Sequence, residues 1–188
     1  EVNGQMTDPG SNAAFRKLLE YEKRAARYSP GSGGGSGSFD EWSGVVFAIE
    51  GTRLACNINR IGEILPCPPS TPVPGAKRWI IGLANVRGEL LTIVDLKDFL
   101  SGVKTTMTTE TRLLTATLNK APIGLLVDEV IGQRHFLDSE ALEAGLDDDS
   151  LLSSVVSHRY DLGSETWHEF DIERLFSNPD FLNGAEEH

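Results

Sequence analysis

The sequence predicts an all-β protein made of two small barrel halves, with short helices only at the corners. After Phe39, apolar residues alternate with polar ones instead of recurring at helical spacing. Short β-rich runs then follow one another to about Asp171, separated by turn residues. Two hairpin turns of similar character, at 85–89 and 119–122, favour two barrels over one large sandwich.

Residues 1–38 are predicted to form an N-terminal extension in front of a domain at 39–182 and a tail at 183–188. Ser11 or Asn12 can cap a helix that runs over about 12–28, because apolar residues there fall on one face. Residues 29–38 are too rich in Gly and Ser to hold a fixed shape, so they are predicted to be a flexible tether.

The first part of the domain is predicted to contain two strands and a stiff loop. Val45, Phe47 and Ile49 share one face of the first strand, and Glu50-Gly51 begins a turn. The second strand covers 53–58, a short helical turn covers 59–63, and Ile64 and Leu65 follow it. The five prolines of 66–75 cannot donate ladder hydrogen bonds, so this segment is predicted to be an exposed loop.

A central hairpin is predicted over 79–94. Its strands are 79–84 and 90–94, joined by a turn at 85–89 in which Gly88 is free to take a positive φ. Asp95 then begins a short helix over 96–100. The remaining predicted elements are strands at 111–118, 123–127, 151–156 and 166–171, a strand or irregular extension at 130–136, a loop at 147–149 and a helical turn at 172–177.

The charge distribution excludes one large class of partners. From Asp128 onward there are sixteen acidic and three basic residues, within a chain of net charge −11. Such a field repels phosphate backbones, so nucleic-acid binding is not expected. No apolar run reaches the roughly 20 residues that span a bilayer. The sequence also begins without a signal-peptide pattern and has only two cysteines, so a cytoplasmic protein without direct membrane insertion is expected.

No catalytic or metal-binding pattern is found, so we expect no enzyme activity, cofactor or metal. Cys56 lies in an apolar strand and Cys67 between prolines, and neither has a local base that would activate it. The histidines 135, 158, 168 and 188 are scattered without metal-ligand spacing.

Arg87 is the clearest candidate for a binding role, because it lies at the tip of a hairpin with apolar flanks. A guanidinium there can form paired hydrogen bonds with a carboxylate of another chain. Alternatively, Arg87 braces the fold by pairing with an internal acid such as Asp95 or Asp128. Ile61, Ile64 and Leu65 are equally open to two readings, as core residues or as part of a partner surface.

Five landmarks in this order resemble CheW-like domains, over about residues 42–182. They are 61–65 (IGEIL), Pro74-Gly75, 82–88 (GLANVRG), 91–96 (LTIVDL) and 124–130 (GLLVDEV). Thr92 stands where the family usually has proline. Within the family, the opening WSGVVF at 42–47, the stretch 84–88 and His135-Phe136 point to the adaptors of type IV pilus chemosensory systems.

The resemblance implies a fold of two interlocking five-stranded SH3-like β-barrels. It also implies a non-catalytic adaptor that binds the regulatory domain of a CheA-type histidine kinase and the cytoplasmic tip of a methyl-accepting chemoreceptor. The protein-binding residues it implies are Ile61, Glu63, Asn85, Arg87 and Gly88. Asp95 and Asp128 are implied to be structural residues beside the receptor groove, and the protein is expected at membrane-associated receptor arrays.

Three alternatives remain at this point. The chain could be a flagellar chemotaxis CheW, which has the same motifs but another output. It could be a sensory module with SH3-like barrels that binds a small molecule or a peptide. It could also be a hydrolase that uses a cysteine or a carboxylate, although no cluster of acid, base or metal ligands supports that alternative.

Overall fold

The computed structural model describes residues 40–146 and 150–184. The chain divides into two compact units, 1–38 and 39–188, and the first lies outside the described residues. The described residues therefore do not include the predicted helix at about 12–28 or the Gly/Ser tether. They also do not include the loop at 147–149 and residues 185–188 of the tail.

The described residues are mostly β-structure, which confirms the predicted fold class. Eleven strands form a six-stranded sheet in the order β8-β1-β2-β11-β10-β9 and a five-stranded sheet in the order β3-β6-β7-β5-β4. The strands are β1 (Glu41–Ile49), β2 (Thr52–Asn57), β3 (Ile64–Leu65), β4 (Ile80–Val86), β5 (Glu89–Asp95), β6 (Arg112–Leu118), β7 (Ala121–Val127), β8 (Glu129–Leu137), β9 (Leu142–Glu143), β10 (Val156–Leu162) and β11 (Glu165–Phe170).

Short helices lie between the strands and after them. Their bounds are α1 (Leu96–Ser101), α2 (Leu151–Ser154), α3 (Ile172–Ser177) and α4 (Pro179–Leu182), with 3-10 turns at Ile58–Arg60 and Asp138–Glu140. None of the helices in the described part of the chain is long and apolar enough to cross a membrane.

The chain interlocks the two sheets by leaving the first and returning to it. β1 and β2 belong to the six-stranded sheet, β3 to β7 form the other sheet, and β8 to β11 return to the first. On return, β8 pairs antiparallel with β1, and β11 pairs parallel with β2. The hairpins at 85–89 and 119–122 both lie in the five-stranded sheet, so they do not support the inference of two halves that was drawn from them, although two sheets are present.

The strand predicted at 151–156 is wrong in its first part. Residues 151–154 form the helix α2, and the strand β10 begins only at Val156. The Ser150 side chain accepts a hydrogen bond from the Ser153 N–H at 3.0 Å, which caps the first turn of this helix. Leu151 and Leu152 supply the apolar character that was read as a strand.

Different side chains fill the two cores. The six-stranded sheet packs an aromatic cluster that contains Phe136, Tyr160 and Trp167, with Trp42 against it. The five-stranded sheet packs aliphatic residues, among them Leu91, Ile93, Leu113 and Leu126. β1 is buried on both faces from Gly44 to Ile49, beyond the single face predicted for Val45, Phe47 and Ile49.

The end of the described chain fastens onto the five-stranded sheet. Phe181 in α4 stacks on Trp79 at 5.4 Å between ring centroids and meets Phe99 of α1 edge-on at 5.1 Å. The Lys77 N–H donates to the Gly184 carbonyl at 2.8 Å. These contacts hold the segment that follows β11 of the six-stranded sheet against the five-stranded sheet. They therefore add a further link between the two sheets.

Candidate functional site

The β4–β5 hairpin ends in a tight two-residue turn made of Arg87 and Gly88. Val86 pairs directly with Glu89, and φ is 53° at Arg87 and 89° at Gly88. Positive φ at both central residues is typical of a type I′ turn, which matches the right-handed twist of its strands. The Asn85 side chain accepts a hydrogen bond from the Gly88 N–H at 2.9 Å. The turn is therefore rigid and shorter than the predicted 85–89.

Arg87 reaches back from this turn to the segment before β3, where its Nη1 donates to Glu63 Oε1. Glu63 is itself held by Thr115 of β6: the Glu63 N–H donates to Thr115 Oγ1 at 2.7 Å, and the Thr115 N–H donates to the Glu63 carbonyl at 2.9 Å. The side chains of Arg87 and Glu63 are 54% and 41% exposed. Arg87 therefore pairs with an internal acid, as the bracing alternative expected, but this acid is Glu63 and not Asp95 or Asp128.

Asp95 is buried and organises the chain after β5. Its carboxylate accepts hydrogen bonds from the Asp98 N–H at 3.1 Å, the Thr105 N–H at 2.8 Å and the Thr105 hydroxyl at 2.8 Å. The first of these bonds caps α1, and the other two fix the segment that follows the helix. These contacts fit the structural role that the resemblance implied for Asp95.

Asp128 joins the two sheets where β7 of one ends and β8 of the other begins. Its carboxylate accepts from Lys97 Nζ at 2.8 Å and from the Glu50 N–H in the β1–β2 turn at 2.8 Å. A single carboxylate thus ties α1 and the first hairpin together, and these contacts agree with an anchoring role.

Ile61 does not lie on the surface. Only 6% of it is exposed, and the backbone on either side is bonded to Ile58 and Thr115. This burial corrects the expectation that its side chain contributes to a partner surface. The sequence could not settle the point, since an isolated isoleucine after a short turn fits the core and an interface equally well.

Leu90 is a surface residue that the sequence reasoning missed. It lies opposite Asn85 across the β4–β5 ladder, and 61% of it is exposed. Leu90 and Leu91 are consecutive in a strand, so their side chains point to opposite faces and only one can enter the core. The two consecutive leucines were therefore the sequence signal that one of them lies on the surface. We call Glu63, Asn85, Arg87, Gly88 and Leu90 the hairpin surface.

Neither cysteine has the environment of an activated nucleophile. Burial raises the pKa of Cys56 to about 12, and nearby acids such as Asp171 add to the effect. Burial also raises the pKa of the half-buried Cys67. Because a nucleophilic thiol needs a lowered pKa, both side chains fit packing roles.

The histidines of the described residues have different surroundings. His135 contacts Glu41 at 3.2 Å, and His158 contacts Glu169 at 2.8 Å. Burial and the nearby Arg159 guanidinium lower the pKa of His168. Over residues 40–146 and 150–184, no three His, Cys, Asp or Glu side chains come together as a metal site; His188 lies outside this part.

Comparison with known proteins agrees with this architecture. The family model described as "CheW-like domain" matches residues 43–180. The chain is 35% identical to Protein PilI of Pseudomonas aeruginosa over 122 residues, which are 65% of this chain and 68% of PilI. It is 29% identical to Protein FrzA of Myxococcus xanthus, over 58% of this chain and 69% of FrzA.

For other similar proteins, the match covers a smaller share of the relative, or only the fold is shared. The chemotaxis protein CheW of Bacillus subtilis is 29% identical over 45% of this chain and 54% of that protein. The crystal structure of the scaffolding protein TtCheW from Thermoanaerobacter tengcongensis superposes with a TM-score of 0.66 at 19% identity, over 79% of this chain and 98% of that one. The resemblance predicted from the five landmarks, including the likeness to PilI, is confirmed, and the chain belongs to the CheW-like domain family.

Proposed function

We propose that this protein is a non-catalytic adaptor that couples a CheA-type histidine kinase to a methyl-accepting chemoreceptor, in an array that controls twitching motility through type IV pili. Membership of the CheW-like family supports the adaptor role. The similarity to PilI supports the pilus output over the flagellar alternative, which the likeness to chemotaxis CheW proteins keeps as the second candidate. The adaptor acts in the cytoplasm at membrane-associated arrays.

The single observation that carries the proposal is the hairpin surface. Its backbone is fixed by a tight turn, and the same hairpin presents a half-exposed Arg87–Glu63 pair and a largely exposed leucine. An exposed ion pair contributes only about 0–1 kcal/mol to stability. The charges are therefore free to pair with a partner at little cost to the fold, and the planar guanidinium suits a carboxylate on the receptor.

A receptor tip made of helices fits such a surface. A helix docks through apolar side chains at helical spacing, with polar contacts around them. Leu90 offers the apolar contact and Arg87 and Glu63 the polar ones. The kinase regulatory domain must bind elsewhere on the adaptor, because coupling requires both partners to be held at once.

The test is calorimetric titration of the full chain with the isolated kinase regulatory domain and then with a soluble receptor tip. We expect saturable binding of each partner, and binding of the second to the complex with the first. Competition between the two partners would contradict coupling, and absence of binding to either folded partner would remove the adaptor function itself.

A kinase assay distinguishes a coupler from a passive binder. We expect autophosphorylation by the kinase with reconstituted receptor arrays to depend on the adaptor. An unchanged phosphorylation rate without the adaptor would contradict the proposed function, even where binding is found.

A further inference from the structure

A groove of about 830 Å³ opens on the five-stranded sheet, away from the hairpin surface. One wall is the proline-rich loop, where Cys67, Pro68 and Val73 line it, and the other is the segment after α1, with Lys104, Thr105 and Met107. Ile80, Ile81 and Leu126 lie between the walls. No residue of the hairpin surface contributes to this lining.

The walls of the groove are fixed by hydrogen bonds before any partner arrives. Thr71 exchanges two 2.8 Å backbone hydrogen bonds with Leu83 of β4, and these fasten the proline-rich loop to the sheet. Gly82 has a φ of 154°, and a Cβ there would collide with the Thr71 carbonyl. On the other side, Asp95 holds Thr105 by two hydrogen bonds of 2.8 Å. A preformed groove lowers the entropy cost of binding.

The groove carries positive charge although the whole chain has a net charge of −11. Lys77, Arg78 and Lys104 line it, and the acidic residue of its lining, Asp95, is buried and hydrogen-bonded to Thr105. Arg78 is paired with the buried Asp98 carboxylate, with Nε to Oδ1 at 2.9 Å. Within the described residues neither lysine forms an ion pair. These two ammonium groups are therefore available to carboxylates of a partner.

Exposed apolar side chains lie at the rim of the groove. Met107 is 56% exposed, and Val73 and the neighbouring Val103 are also exposed. A small molecule in the groove would leave these side chains in water, whereas a protein segment would cover them. Methionine suits such a rim because its flexible side chain adapts to the surface that packs on it.

We propose that this groove is a second docking surface, which takes an apolar, acidic segment of a partner protein. Leucine-like side chains of the segment enter between the proline-rich loop and Met107, and its carboxylates pair with Lys77 and Lys104. The inference goes beyond the proposed function, because it assigns a chemistry to the partner at a surface separate from the hairpin.

The test uses a synthetic amphipathic helical peptide with leucines on one face and glutamates on the other, and a twin with lysines in place of glutamates. Binding to the full chain is followed by fluorescence anisotropy and by protection of Cys67 from alkylation, since Cys67 lines the groove and Cys56 is buried. We expect only the glutamate peptide to bind and to protect Cys67.

Two variants decide whether the lysines and the apolar rim are responsible. Lys77→Glu/Lys104→Glu should weaken the glutamate peptide at least about tenfold, a change of about 1.4 kcal/mol. The exposed Met107→Glu should weaken it as well, without a risk to folding. Lys120→Glu, a matched charge reversal at the tip of the β6–β7 hairpin, should leave binding unchanged.

Several results would overturn the proposal. These are equal binding of the two peptides, binding that survives in the groove variants, no binding of the glutamate peptide, or loss of binding in Lys120→Glu. Protection of Cys67 by decanoate but not by the peptide would make the groove a small-molecule site. None of these outcomes depends on the kinase or the receptor, so they are distinguishable from a failure of the proposed function.

Discussion

The first barrel, built on the six-stranded sheet, and the second barrel, built on the five-stranded sheet, differ in what fills them and in what they present to solvent. In the first, Trp42 stacks on Phe136 at 4.6 Å and donates from Nε1 to the Tyr160 hydroxyl at 3.2 Å. Arg53 and Arg134 lie over the buried Trp167 ring, at 5.5 and 4.8 Å from its centroid, and both pair with Glu165. The second barrel has an aliphatic core, and it carries both the hairpin surface and the groove.

From this difference we infer that the residues that stabilise the fold and the residues that bind partners lie in separate parts of the fold. Trp42 and Tyr160 help to fix the first barrel in one arrangement, because their rings must satisfy packing and their mutual hydrogen bond together. The second barrel keeps its charged and protruding residues on a hairpin tip and on a groove wall. Changes in the first barrel should therefore act on folding, and changes on these two surfaces of the second should act on binding.

The largest expected effect is the loss of Trp167. Trp167→Ala removes a ring that is 1% exposed and leaves Arg53 and Arg134 without their stacking partner, so the free energy of unfolding should fall by about 3–5 kcal/mol. Chemical denaturation of the wild type and the variant measures this change in the free energy of unfolding. The matched change in the other core, Leu126→Ala, should cost about 2–5 kcal/mol. A loss below 1 kcal/mol for Trp167→Ala would contradict the account of the first core.

Alkaline pH should destabilise the first barrel through Cys56. Burial raises the pKa of this thiol from its ordinary value of 9.0 to about 12, so the neutral thiol stabilises the fold below pH 9, and this contribution is lost between pH 9 and 12. By pH 11 the loss from this group should be on the order of 2 kcal/mol.

Denaturation curves at pH 8 and 11 test this prediction with Cys56→Val as the comparison. The variant should lose less stability over the interval, because it lacks the thiol. Cys67→Val serves as a control for a half-buried thiol and should keep most of the alkaline loss. A loss as large in Cys56→Val as in the wild type would assign the effect to other groups.

Asp95→Ala should have a smaller effect that appears at one wall of the groove. The substitution removes the α1 cap and the two bonds to Thr105, which should cost about 0.5–2 kcal/mol. Hydrogen exchange at the Thr105 amide should accelerate. Unchanged protection of that amide would show that Asp95 does not hold the segment.

Much of the fold was predictable from the sequence, because it depends on short-range signals. Alternation located β1, the turn residues located both hairpins, and Asp95 marked the start of α1. The strand predicted at 151–156 failed because the Ser150 cap competes with an apolar pattern that suits either structure. The two hairpins were poor evidence for two sheets, because both lie in one sheet and pairing between distant strands, such as β1 with β8, leaves no local trace.

The candidate site was less predictable, since it depends on burial and on side-chain partners. Arg87 could be placed at a hairpin tip, but its partner Glu63 lies 24 positions away and Asp95 and Asp128 were equally reasonable. Ile61 gave no sign of its burial. The groove was not anticipated, because the loop from 66 to 75 becomes a wall only when Thr71 pairs with Leu83.

The hairpin surface offers the smallest expected change in stability and the most direct test of the central claim. In Arg87→Glu, the free energy of unfolding should change by less than about 1 kcal/mol, because only an exposed ion pair is lost. Binding to the receptor tip should weaken at least about tenfold, or about 1.4 kcal/mol. Lys120→Glu, at the tip of the other hairpin, should change neither.

The measurement to make is therefore paired chemical denaturation and receptor-tip titration of the wild type, Arg87→Glu and Lys120→Glu. The account predicts three proteins of nearly equal stability, of which only Arg87→Glu loses receptor binding. A marked loss of stability in Arg87→Glu with receptor binding intact would contradict it, and would show that Arg87 braces the fold.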